Sequence, residues 1–379
     1  MQATKRYGKT GTRLYEIQNQ ALKSMLNSAE KERYDRHLTL PEFGEKAQLK
    51  LKNAKVLVVG AGGLGSPILL YLAAVGVGCI GIIDGDVVDV SNLQRQVLFN
   101  TSDIGINKAE AAAIRLQLQN DLIKIKYYPF LLTNNNALDL FSEYDVIVDG
   151  TDNFATRYLC NDSAVITKKP LIHGSIFKFE GQVSVFNYQN GPTYRCLFPE
   201  PPSLGSVPSC SEIGVLGVLP GIIGSYQALE TIKVITGVGE PLSGKLLCIN
   251  TLNNSQQVLE FEKDLEHSKV DQLLNNYEYF CGSNVLVKEI SYTAAKLLLD
   301  APDYQLIDVR EITEYENYNI GGLNLPLSTW DFELSNQSKT PIFICQKGIR
   351  SKNAAQQFSE NLNQHSYSIV GGIEYIKRI

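Results

Sequence analysis

The run KVLVVGAGGLGSPILLYLAAVGVGCIGIIDGD, residues 55–86, constrains this chain more than any other stretch. Val56 to Val59 is short, apolar and β-branched, the signature of a buried strand, and SPILLYLAAVGV is long enough for a helix. Gly60, Gly62 and Gly65 join them at the spacing G-x-G-x-x-G, with Gly63 inside the same turn. CIGIIDGD then reads as a second strand, so the segment is a βαβ unit, whose crossover helix makes the two strands parallel. The alternation continues with a helix in NKAEAAAIRLQLQN, a strand near IKIKYYPF and a buried strand in YDVIVDG, which predicts a mostly parallel, doubly wound α/β sheet.

Beyond this, KPLIHGSIFKFEGQVSVFN alternates like antiparallel strands. PEPPSLGSVPSC is too rich in Pro, Gly and Ser for regular structure and reads as a long loop. GVLPGIIGSYQALETIKVITG predicts an apolar helix ended by Gly237, and GKLLCINTLNNSQQVLEFEK a closing hairpin. A polar, linker-like stretch covers 267–284. After it the pattern restarts as helix SYTAAKLLLD, strands YQLIDVR, GGLNLPL and PIFIC, and helix SKNAAQQFSENL, a second small α/β domain over 285–379. At 379 residues the chain has room for both, with an N-terminal arm over 1–29 and a first domain over 30–266.

The glycine turn brings backbone N–H groups and a helix N-terminus up to an anion, so a nucleotide phosphate is the expected ligand. Asp84, at the end of the second strand, is placed to take ribose hydroxyls, a role it fills equally for a dinucleotide or for ATP. The following run DGDVVDVSNLQRQ carries Asp86, Asn92 and Arg95, Lys108 opens the next helix, and Asp152 follows an apolar strand in GTDN. Hydride transfer requires none of these. Chemistry at a phosphate does: Arg95 and Lys108 can neutralise α- and β-phosphate charge, and Asp152 can hold Mg²⁺. Either cation alone would be read as solvated surface charge.

RYDRHL (33–38), GAGGLGSP, DGDVVDVSNLQRQ, GINKAEAA, DGTDN, FEGQVSVF, YRCLFP and GVLPGIIGSYQALETIK together resemble the MoeB/ThiF/HesA adenylating enzymes, relatives of ubiquitin-activating E1 proteins, over residues 30–265. The resemblance implies a Rossmann-like adenylation domain that uses ATP and Mg²⁺. Its substrate would be a small ubiquitin-like sulfur carrier of the MoaD/ThiS type ending in Gly-Gly, adenylated at its terminal carboxylate. It implies further that Asp152 binds Mg²⁺, that Asp84, Asn92, Arg95 and Lys108 contact ATP, and that Arg36 reaches the nucleotide of a neighbouring subunit in a homodimer. A surface role is the other reading of Arg36.

Cys345 ends the apolar strand PIFIC, where an inert core thiol is the ordinary expectation. The residues that follow, QKGIRS, argue otherwise. A loop running straight into a helix turns N–H groups and a positive dipole end toward the sulfur, and Lys347 and Arg350 add charge. LIDVREITEYENYNIGGLNLPL with CQKGIRS resembles a single rhodanese domain over 286–379, which implies that Cys345 bears a persulfide supplied by a donor such as a cysteine desulfurase. Asn319 stands where many members have histidine. C-x-x-x-x-R is one residue shorter than the phosphatase loop of the same fold, which favours the sulfur form.

Cys210 follows the Pro-rich loop, where family members carry a cysteine that bonds the carrier or resolves an acyl disulfide. Many relatives also hold zinc with two C-x-x-C pairs; here Cys196 and Cys281 face Thr193 and Glu278 at the partner positions, and no zinc is expected. Seven scattered cysteines and a net charge of −5 fit neither a disulfide framework nor a nucleic-acid-binding surface. No apolar run suits a membrane and the N-terminus lacks a secretory pattern, so a cytoplasmic protein is expected. A non-catalytic scaffold that docks a ubiquitin-like partner and a nicotinamide dehydrogenase are the alternatives, separated by ATP turnover and nicotinamide binding.

Overall fold

The computed structural model describes residues 25–202, 214–281, 287–330, 339–362 and 364–377, without the side chains at 278, 279, 360 and 361. Cys210 and most of the Pro-rich loop lie outside the described residues. The chain divides into two compact units; of the described residues the first takes 25–200 and 214–275, and the second takes Pro201, Pro202 and those from Asn276 on.

The first unit is built on an eight-stranded sheet: β1 (Lys55–Val59), β2 (Cys79–Ile83), β3 (Lys124–Tyr128), β4 (Val146–Asp149), β5 (Leu171–Phe177), β6 (Glu180–Phe186), β7 (Lys245–Asn250) and β8 (Ser255–Glu260). Their order is β3-β2-β1-β4-β5-β6-β7-β8. The pairs from β3 to β5 are parallel, and β5 to β8 are joined antiparallel. The expected antiparallel pair and closing hairpin are therefore both present.

Helices α1 (Gly65–Ala74), α2 (Lys108–Gln119), α3 (Phe154–Thr167) and α4 (Val218–Thr236) accompany the parallel strands. The β1 and β4 runs read as unbroken apolar sequence because the interior of a parallel sheet is covered on both faces, and Val56, Val58, Ile80, Ile82 and Val148 are fully buried. Gly237 ends α4 at φ +72°, as its place after the apolar run predicts.

The second unit carries an all-parallel five-stranded sheet: β9 (Val287–Ile290), β10 (Tyr304–Asp308), β11 (Leu323–Asn324), β12 (Thr340–Ile344) and β13 (Ser366–Ile369), in the order β11-β10-β12-β13-β9. Its helices include α5 (Tyr292–Leu299), α6 (Ile312–Asn317) and α7 (Ile349–Leu362). Strands β9 and β13 are additions to the sequence reading. Each has only four residues, too few for periodicity to distinguish from a turn.

Candidate functional sites

Strand β1 lies between β2 and β4, so the chain leaves it in one direction and returns on its other side. That reversal opens a crevice at the carboxyl ends of β1 and β4, where ligands of open α/β sheets bind. The glycine turn follows β1, and Gly150 to Asp152 follow β4. The two loops touch at backbone level: a Cβ on Gly60 (φ +90°) would sit 3.0 Å from the Gly150 carbonyl oxygen, and one on Gly65 only 2.0 Å from that of Gly60. Only glycine permits this packing.

Around the turn the expected residues assemble. The Asp84 carboxylate accepts N–H bonds from Ala61 (2.8 Å) and Asp86 (2.9 Å). Burial pushes its carboxyl above the usual range, the amide bonds opposing. Lys108 is 7% exposed and sits 3.0 Å from Asp86 Oδ2, so in this state its charge is already shared. Asn107 caps α2 and donates to the carbonyls of Asp84 and Asp86, both at 3.0 Å, tying the end of β2 to the start of α2. Arg95 is half-buried; its Cγ would lie 3.6 Å from a Cβ on Gly63, and its guanidinium donates to the Ser91 carbonyl at 3.1 Å. Asn92 caps the same short turn through its bond from the Asp89 amide. Asp152 is exposed. Arg36, in the short helix Asp35–Leu38, is 94% exposed on its side chain and has Asp35 at 3.8 Å.

Several participants were not singled out in the sequence. Gln96, next to Arg95, is 3% exposed, lies against Gly62, and its buried Oε1 has no partner among the described residues. Asp149 Oδ1 accepts from the Thr151 amide (3.0 Å) and hydroxyl (2.6 Å), and Oδ2 takes His173 Nδ1 at 3.2 Å. Burial, the largest single influence, works to raise the Asp149 carboxyl, but the His173 hydrogen bond, the neighbouring charges of His173 and Arg157 and the Thr151 bond together outweigh it, and the net direction is down. His173 is lowered, burial first among the causes, and is therefore a neutral imidazole donating from Nδ1. The apolar run before Asp149 marks it only as a strand end; nothing local announces its histidine partner.

A nucleotide suits this donor set. Glycine-turn amides, Arg95 and Lys108 match phosphates, Asp84 matches ribose hydroxyls, and Asp152 offers one carboxylate. Among the described residues no group of three or more His, Cys, Asp or Glu could hold a metal ion by itself. Mg²⁺ bound between one carboxylate and nucleotide phosphates needs no such group.

In the second unit Cys345 follows β12 and is 1% exposed. The Gly348 amide donates to its Sγ at 3.1 Å, and Ser351 Oγ lies 3.4 Å away. Gly348 adopts φ +91°, which lets the loop curl over the sulfur and enter α7. Ser351 is itself held by the Gly348 carbonyl (3.0 Å) and Ser368 Oγ (2.9 Å). The cations differ from expectation. Arg350 forks onto both oxygens of Glu314, each at 2.7 Å, and Lys347 has Glu374 at 3.9 Å. The Gly348 amide at the entry to α7, more than free cations, meets the sulfur, because α6 and Glu374 bring carboxylates to the loop. Arg310, 2% exposed, clamps Asp308 and donates to Gln346 Oε1 at 3.4 Å, fixing the loop from below.

Burial pushes the thiols of Cys160, Cys79 and Cys248 up. Cys196 Sγ takes the Thr193 amide at 3.2 Å and caps a helical turn. The Glu278 side chain lies outside the described residues.

A nucleotide-type crevice in a doubly wound domain, together with a loop-cradled cysteine in a small parallel-sheet domain, defines a class of two-site enzymes. The chain belongs to the ThiF family, whose model matches residues 34–270, and a rhodanese-like domain matches 291–378. It is 43% identical over 371 residues to the probable adenylyltransferase/sulfurtransferase MoeZ of Mycobacterium tuberculosis, covering 92% of this chain and 93% of that one. It is 48% identical over 263 residues to the sulfur carrier protein adenylyltransferase of Thermus thermophilus, covering 67% and 97%. Identity to adenylyltransferase and sulfurtransferase MOCS3-2 of Zea mays is 38%, covering 90% and 78%. Among solved structures, Escherichia coli MccB with MccA-N7isoASN superposes with TM-score 0.55 at 22% identity, over 69% of this chain and 81% of that one, a likeness of fold.

Proposed function

We propose that this protein is an ATP-dependent adenylyltransferase and sulfurtransferase that converts the C-terminal glycine of a ubiquitin-like sulfur carrier into a thiocarboxylate. The observation that carries the reading is the presence, in one chain, of a switch-point nucleotide crevice and a cysteine whose sulfur already accepts a loop amide.

The carrier's terminal carboxylate oxygen attacks the α-phosphorus of ATP; the bond to the β-phosphate bridge breaks and pyrophosphate leaves. Arg95 and Lys108 stabilise the charge that builds on the phosphates, and Asp84 holds the ribose. Mg²⁺ on Asp152 would neutralise phosphate oxygens when bound. The outer sulfur of a Cys345 persulfide then attacks the acyl carbon, a C–S bond forms, and AMP leaves with the C–O electron pair. A second thiol, for which Cys210 is the candidate, attacks the Cys345 sulfur. That step releases the thiocarboxylate and leaves a disulfide for a thiol reductant.

The persulfide itself comes from a donor such as a cysteine desulfurase. A cytoplasmic setting suits free thiols, and among the described residues no helix is long and apolar enough to cross a membrane. A homodimer fits the exposed apolar side chains of Val90, Val97, Ile114 and Leu118, with Arg36 reaching the partner's nucleotide.

Carrier-dependent exchange of labelled pyrophosphate into ATP tests the first step. Exchange with a carrier ending in Gly-Gly, and none with one lacking those glycines, is expected. A folded, ATP-binding protein that exchanges with no carrier would instead be a scaffold.

A further inference from the structure

We infer that His173 and Asp149 are positioning residues that set the orientation of Asp152, and so the affinity of the adenylation site for its metal; the inference rests on the reading of Asp152 as the Mg²⁺ ligand. Asp149 and His173 are Cα partners across the parallel β4–β5 register, at the carboxyl edge of the sheet. Their side chains are 1% and 2% exposed, so their hydrogen bond is shielded from water.

Both carboxylate oxygens of Asp149 are committed. Oδ2 takes the imidazole at 3.2 Å, and Oδ1 takes the Thr151 amide and hydroxyl at 3.0 and 2.6 Å. The Asp149 carbonyl receives Gln227 Nε2 of α4 at 2.6 Å. That approach is open because residue 174 is glycine: a Cβ there would lie 2.3 Å from the Gln227 Cδ. Gly150 donates to the Val59 carbonyl at 2.8 Å, fixing the turn to β1. On the far side, Asn153 Oδ1 accepts the Thr156 amide at 2.8 Å and caps α3. Asp152 is thus held between two pinned neighbours while its own carboxylate stays exposed.

The imidazole has one orientation in which this works. Its ring packs against Tyr194 (centroids 5.1 Å apart) and Phe186 (5.8 Å), and Asp149 can only accept, so Nδ1 must carry the proton. Without that donor, Oδ2 is a buried carboxylate oxygen with a lost partner, and its cheapest relief is rotation toward solvent. Rotation releases Thr151 and, with it, the turn that aims Asp152. Groups that hold a metal ligand from behind change metal affinity by about 10- to 100-fold when removed.

The experiment measures, in the full chain, the Mn²⁺ binding midpoint with a non-hydrolysable ATP analogue bound and no turnover, read by electron paramagnetic resonance, and beside it the free-Mg²⁺ midpoint of carrier-dependent pyrophosphate exchange. Asp152→Asn serves as reference. His173→Leu removes the donor and keeps the apolar volume; its midpoint should rise about tenfold, by more than the rate at saturating Mg²⁺ falls. His173→Asn, whose amide can stand in for Nδ1, should recover most of the shift, which a role in packing alone would not produce. Thr151→Val acts at the half-buried end of the chain of bonds, where folding is not at stake, and should raise the midpoint in the same direction. A wild-type midpoint in both His173→Leu and Thr151→Val, with Asp152→Asn shifted, overturns the inference and leaves the metal reading intact. A wild-type midpoint in Asp152→Asn overturns the metal reading and the inference together.

Discussion

The two sites use one plan, a parallel strand ending in a glycine-bearing loop that enters a helix, but they finish it differently. In the first, Asp152 is exposed, Arg95 is half-buried, and Gln96 keeps a buried oxygen unpaired among the described residues. In the second, the sulfur is 1% exposed, it already holds an amide, and both neighbouring cations have carboxylates. The difference follows the cargo. A nucleotide brings its own charges and acceptors to complete an open site, whereas a covalently held sulfur atom brings almost none, so the protein supplies them beforehand.

The comparison breaks most sharply at Cys345→Ser. Thiocarboxylate formation should fall by at least about 10³-fold, as for loss of a covalent nucleophile, while pyrophosphate exchange stays at the wild-type rate. Normal sulfur transfer in that variant, read by mass spectrometry of the carrier, would end the assignment. Gly65→Ala places a Cβ 2.0 Å from the Gly60 carbonyl. The strained turn should cost about 3 kcal/mol or more, so exchange and the melting of the first unit should drop while Cys345 still reacts with thiosulfate. Gly348→Ala acts on the other loop with a smaller strain: φ +91° costs an L-residue about 1–2 kcal/mol, and sulfur transfer should slow about tenfold with exchange untouched.

The smallest effect concerns Glu314. Its hydrogen bond from Arg350 lowers its carboxyl below the usual range. A depressed carboxylate contributes stability that is present above the unfolded-state value, about 4.3, and is lost as pH falls through the folded one. The second unit of wild type should therefore lose more stability between neutral pH and pH 3 than that of Glu314→Gln. Parallel acid-unfolding curves would contradict this.

What sequence could reveal follows from the range of each interaction. The glycine turn, Asp84, Arg95, Lys108 and the cysteine loop are contiguous motifs whose chemistry is local, and the structure joins the first four by direct contact or hydrogen bond. The Asp149–His173 pair was hidden because it depends on strand register across 24 residues. Arg350 looked like a free cation because Glu314 lies 36 residues away. Such partners are set by topology, and no local pattern encodes them.

Sheet order in the second unit has a consequence for synthesis. Strand β9, first of the five in the chain, sits at the sheet edge with β13, the last, as its neighbour; Val287 pairs with Ser366. Residues 287–290 therefore emerge from the ribosome long before the strand they must join. The first unit can close its parallel core while translation proceeds. The sulfur-bearing unit completes its sheet only once residue 369 has been made. The capacity to activate a carboxylate thus arises earlier in the life of each molecule than the capacity to deliver sulfur to it.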